Sequence, residues 1–86
     1  MMIRLYSKPG CGLCDEAREL LERVRQRHPF ELVEEDIRAD PLLFARFRYS
    51  IPVVIIGGHD TFTHPVEEAA VEACLQRLSG GTGVAD

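Results

Sequence analysis

Leu5-Tyr6-Ser7-Lys8-Pro9-Gly10-Cys11-Gly12-Leu13-Cys14 is the stretch that decides how the rest of the chain is read. Met2 to Ser7 is short and β-compatible, and it stops at the Lys8-Pro9-Gly10 turn. From about Cys11 the pattern becomes helical. Leu13, Ala17, Leu20, Leu21 and Val24 recur at i, i+4, i+7, i+8 and i+11, one face of a helix that Pro29 stops after His28. A Cys-x-x-Cys pair therefore falls directly after a strand and on the first turn of a helix, where spare backbone N–H groups and the helix dipole favour an anion. A thiolate is such an anion. Cys11 is the expected nucleophile, with a pKa drawn below that of a free thiol. Cys14, one turn later, is placed to attack a mixed disulfide formed at Cys11 and release the substrate. Gly12 keeps bulk away from the sulfur.

Outward from this unit, Phe30 to Ile37 reads as a second strand. Asp40-Pro41 has the form of an N-cap followed by proline at the first helical position. It opens a short helix to about Arg48 that is expected to bury Leu43, Phe44 and Phe47. Ile51 to Ile56 is a strongly β-branched third strand. Gly57-Gly58 supplies a tight turn into a fourth strand, His59 to Thr63. The last helix is predicted from about Pro65 to Leu78, with Val71, Cys74, Leu75 and Leu78 as its inner stripe. Gly80-Gly81 is read as its stop, leaving 79–86 as a flexible tail after a single domain over 1–78. The order β-α-β-α-β-β-α implies a parallel strand-helix-strand crossover and a terminal antiparallel hairpin. A mixed four-stranded sheet with helices on its faces follows.

The bulk numbers agree with one small globular domain. The chain has 86 residues, 45% hydrophobic and 28% charged, with a formal charge of −4. The longest apolar run is far short of a membrane span. A net acidic chain with scattered basic residues is a poor nucleic-acid binder. No signal peptide is expected, and three cysteines make an odd count for a secreted disulfide framework. A reducing cytoplasm is the expected location. A zinc site would need four ligands, and Cys74, His28, His59 and His64 stand at no recognised spacing from the pair.

The segment Leu5 to Cys14 resembles the active-site segment of the glutaredoxins, within the thioredoxin-like superfamily. The element order matches over residues 2 to about 78. Within that family the chain is most similar to small bacterial glutaredoxin-like proteins. The resemblance implies a thioredoxin-like α/β fold with sheet order 2-1-3-4 and the third strand antiparallel to the first. Cys11 is implied as nucleophile and Cys14 as resolving thiol. Pro52 is implied to be cis and to face Cys11, with the Ile51 backbone pairing with a bound thiol peptide. Typical glutaredoxins also hold the glutamyl end of glutathione at a Gly-Gly and Asp turn that opens the last helix. Here that turn reads Phe62-Thr63-His64-Pro65-Val66-Glu67, and Gly57-Gly58 lies earlier, so the usual clamp is absent or changed.

Several residues carry two readings. Lys8, the single lysine beside nine arginines, is a candidate to stabilise the thiolate; the alternative is a solvated loop lysine. Asp15 and Glu16 suit a helix start but oppose a thiolate. Leu13 would line the substrate approach. Thr63 and His64 stand where a clamp would be and could contact substrate; for Thr63, capping the last helix is the alternative. Cys74 reads as core. Arg38 is a groove or surface arginine, and Arg46 and Arg48 form a solvated face. The expectation is a monomeric thiol-disulfide oxidoreductase acting on disulfide-containing proteins in redox homeostasis and electron transport. It needs no bound cofactor, and electrons return from glutathione or a flavoprotein reductase. The alternative is a binding module of the same fold. It would hold a [2Fe–2S] cluster in a dimer, or dock a partner without turnover.

Overall fold

The structure is a computed structural model that describes residues 1–58 and 60–84. The elements are β1 (Met2–Ser7), α1 (Gly12–Arg27), β2 (Glu31–Asp36), α2 (Pro41–Phe47), β3 (Val53–Ile56), β4 (Asp60–Thr63) and α3 (Glu68–Val84), with a 3-10 turn at Ile37–Ala39. One four-stranded sheet has the order β2-β1-β3-β4. β1 runs parallel to β2 and antiparallel to β3, and β3 and β4 form the expected hairpin. This is the mixed, thioredoxin-like sheet that the segment around Cys11 implies.

Side-chain alternation assigns the faces of the sheet. Ile3 and Leu5 of β1 and Val54 and Ile56 of β3 are wholly buried, and all point to one side. Ala17, Leu20, Leu21 and Val24 of α1 and Val71, Cys74 and Leu75 of α3 close the core over that side. Leu78 packs against this core as a partly buried member of the predicted stripe. Phe30, three residues after the end of α1, joins the same core. The opposite face is covered by α2, where Phe47 stacks on Tyr6 with ring centroids 5.1 Å apart. The strands pair as far as Ile56 with Asp60, so residues 57–59 connect β3 to β4, and Gly57 and Gly58 there have φ of 63° and 81°. Two positive φ angles in succession favour glycine at both positions, and the fourth strand begins at Asp60, one residue later than the sequence suggests.

Three expectations need correction. First, α2 buries none of its residues: Leu43, Phe44 and Phe47 are half-buried, and Leu42 is exposed. A helix of two turns covers only one end of a sheet face. Its rings, and that of Tyr49 just after it, support arginines, with Arg46 over Phe47 and Arg48 over Phe44 and Tyr49. Second, α3 begins at Glu68, not Pro65. The chain first lays Val66 against the core, and the helix then starts from the Glu67 carbonyl, which accepts from Ala70 and Val71. Third, α3 continues to Val84 through Gly80 and Gly81. Glycine inside a helix costs about 1 kcal/mol and does not bar it. The expected tail is thus helical over 79–84, and residues 85 and 86 lie outside the described residues, as does His59 at the start of the fourth strand.

Candidate functional site

Gly10 ends the turn after β1 with φ of 79°, a conformation that a residue with a side chain rarely adopts. That turn delivers Cys11 to the N-cap of α1. Its sulfur accepts a hydrogen bond from the Cys14 N–H at 3.1 Å, so the thiol occupies the place of a capping oxygen. Cys11 and Cys14 are disulfide-bonded, with Cα atoms 5.2 Å apart. Cys14 is wholly buried and Cys11 is half-buried. One sulfur can meet an incoming disulfide, and the other is shielded behind it. A side chain built at Gly12 would meet nothing within 4 Å, so no neighbour in the chain demands glycine there. Gly12 itself is exposed.

Both flanks of α1 carry groups that bear on the pair. On one flank lies a cleft of about 290 Å³, lined by Leu13, Leu20, Pro52, Pro65 and Val66, with Glu16, Glu19, Arg23 and His64 around it. Ile51-Pro52 is cis, as the resemblance implies, and so is His64-Pro65, which nothing in the sequence singles out. Leu13, Pro52 and His64 therefore come together in one groove. Half-buried Ile51 precedes Pro52, and exposed Thr63 is the last residue of β4, paired with Val53. Thr63 does not cap α3, whose first residue is five positions later.

On the other flank, Lys8 and Pro9 line a second cleft with Ser7, Asp15, Arg18, Glu34 and Asp36. Lys8 is exposed and has no ion pair among the described residues. It does not join Pro52 and His64. The same cleft holds a network that sequence reasoning missed. Arg18 donates to Glu34 at 2.7 Å and to Asp15 at 2.8 Å, and a second Arg18 nitrogen also bonds Glu34. The buried Ser7 hydroxyl donates to Glu34 at 2.7 Å. Glu34 lies one parallel strand away from β1, so only the sheet register could have revealed it. The Arg18 guanidinium is the main cause of a Glu34 carboxyl held below its usual range; partial burial opposes it and the Ser7 hydroxyl helps. Asp15 is likewise matched by Arg18, which offsets the charge that its position near the thiols would impose.

The remaining candidates have structural employment. Cys74 is buried, donates to Asp60 at 3.3 Å, and is pushed above the ordinary thiol range by burial first and Asp60 second. Arg38 is tied to Asp36 beside the second cleft, not to the groove. Arg23 and Arg27 bridge α1 to Glu68, and Arg27 also reaches Glu72, both on α3. Among the described residues no group of three or more His, Cys, Asp or Glu could hold a metal ion, and no helix is long and apolar enough to cross a membrane.

Known proteins place this arrangement in context. The fold overlays thioredoxin 1 from Thermosipho africanus TCF52B with a TM-score of 0.77 at 16% identity, covering 96% of this chain and 99% of that one. It overlays the structural-genomics protein XcR50 from X. campestris with a TM-score of 0.74 at 24% identity, covering 86% and 95%. A "Glutaredoxin-like protein YDR286C homolog" from Dictyostelium discoideum is 28% identical over 72 residues, 77% of this chain and 67% of the relative. Residues 2–76 match the family described as the glutaredoxin-like domain (DUF836), and the chain belongs to that family.

Proposed function

We propose that the chain is a dithiol-disulfide oxidoreductase that reduces protein or glutathione mixed disulfides through Cys11 and Cys14. The observation that carries this reading is the contact between the two sulfurs across the first turn of α1, with the more accessible one at the helix N-cap. In the reduced protein the Cys11 thiolate attacks one sulfur of the substrate disulfide, and the other sulfur leaves as a thiol. Cys14 then attacks Cys11, expels the second substrate thiol and closes the Cys11–Cys14 disulfide. Two electrons have passed to substrate, and a thiol reductant such as glutathione, or a flavoprotein reductase, returns them. Pro52 and the Ile51 backbone would hold the substrate's cysteine, and Leu13, Thr63 and His64 its neighbours. Lys8 would act only through long-range charge. The thiol couple itself supplies the redox chemistry, so no bound cofactor is required, and a reducing compartment such as the cytoplasm suits it.

The test is reduction of a glutathionylated peptide by glutathione, run beside reduction of a protein disulfide. Cys11→Ser should abolish both. Cys14→Ser should accumulate a mixed disulfide at Cys11, visible by mass spectrometry. Activity that survives Cys11→Ser but not Cys14→Ser would reverse the two roles. Loss of neither activity would end the proposal.

A further inference from the structure

The groove beside the dithiol has an unbalanced charge. Glu16 and Glu19 lie one turn apart on the wall that α1 contributes. Neither has an ion-pair partner among the described residues, a state shared by Glu31, Asp40 and Glu67, which do not line the groove, whereas Asp15, Glu22, Glu34, Glu35, Asp36, Asp60, Glu68 and Glu72 are paired. The groove's one arginine, Arg23, is already engaged with Glu68 at 3.2 Å. Its floor is apolar: Leu20, Pro52, Pro65 and Val66, with Leu13 at 41% exposure nearest the cysteines in sequence. A cavity of about 290 Å³ is at the small end for a whole ligand and suits a few side chains of an extended segment.

We infer that this groove selects disulfides carried on cationic polypeptide segments, with Lys or Arg and an apolar residue beside the cysteine, over anionic partners such as glutathione. The inference rests on the oxidoreductase reading above and assigns its substrate class. The physical ground is complementarity. A basic residue seated between Glu16 and Glu19 gains two attractions, while a carboxylate there meets two like charges, with Arg23 already paired and His64 the remaining basic side chain among the described lining residues. Rim charges act mainly on encounter and choice of partner, so the effect should fade with salt.

The experiment uses the reduced full chain and four probes, each a disulfide with the neutral leaving group 2-thiopyridine. Two are peptides of one length and one apolar content, flanked by Lys and Arg or by Glu. The third is glutathione, and the fourth is uncharged 2-mercaptoethanol. At low ionic strength the basic peptide should react about tenfold faster than the acidic peptide, and likewise faster than the glutathione probe; about tenfold is what two exposed pairs can supply together. The ratio should shrink in high salt. Glu16→Lys combined with Glu19→Lys should invert the preference, and Glu16→Gln with Glu19→Gln should bring the ratio toward one. A wild-type ratio near one, or a ratio that the Lys variant leaves in place, overturns the inference while fast reaction of the uncharged probe keeps the oxidoreductase reading. Failure of all four probes overturns both.

Discussion

Replacing Glu34 with alanine tests whether the network on the far flank of α1 holds the active-site turn in place. Glu34 accepts from the Ser7 hydroxyl at 2.7 Å and from Arg18 at 2.7 Å, so it joins β2 to the end of β1 and to the second turn of α1. Ser7 is only 3% exposed, and it immediately precedes the turn that carries Cys11. Truncating Glu34 leaves a buried hydroxyl without its partner, which costs about 1–3 kcal/mol. The Arg18 pair is a third or more exposed on both sides and adds only about 0.2–1 kcal/mol. A loss of roughly 2 kcal/mol is expected, which for a domain of this size lowers Tm by about 8–16 °C. Ser7→Ala should cost about 1 kcal/mol, because Glu34 keeps Arg18. The double variant should fall short of the sum by about 1 kcal/mol, since both changes remove the same bond. The pH dependence has a definite sign. A carboxyl whose folded pKa lies below its unfolded value near 4.5 stabilises above that value, and the contribution disappears as pH falls through the folded pKa. The gap between wild type and Glu34→Ala should therefore be full at pH 7 and narrow in acid. Thermal melts of the four proteins measure all of this. A loss below about 0.5 kcal/mol at pH 7, strict additivity, or a gap that widens in acid would refute the reasoning.

Other regions give simpler expectations. Leu21 is wholly buried in the core, so Leu21→Ala should cost about 2–5 kcal/mol in chemical denaturation and leave at most a marginal fold. Gly10→Ala should cost about 1–2 kcal/mol in the same assay, because its φ of 79° penalises any Cβ even though no atom stands in the way. It should also slow reaction at Cys11. Cys74, buried and with its pKa raised, should resist alkylation under native conditions while reduced Cys11 reacts at once; equal labelling of both in the folded protein would contradict its placement.

Much of the molecule follows from order along the chain. The strand, turn and helix around Cys11, the Asp40-Pro41 helix start and the Gly57-Gly58 hairpin depend on neighbours within a few residues. Periodicity, capping and φ preference report them directly. The same local logic places the thiol pair at a helix start, which is why the dithiol is legible without coordinates. It failed where local preference does not decide the outcome. Val66 is drawn to the core and delays α3. Gly80-Gly81 reads as a stop, yet the helix continues through it. The rings of α2 look like core, but a helix of two turns has too little sheet beneath it to bury them. What tertiary structure alone decided is the surroundings of the sulfurs. Parallel pairing of β1 with β2 carries Glu34 to Ser7 and Arg18, and two prolines thirteen residues apart meet Leu13, Glu16 and Glu19 across a groove. Those contacts join elements far apart in sequence, and their spacing in the chain leaves no trace of the distance that folding closes.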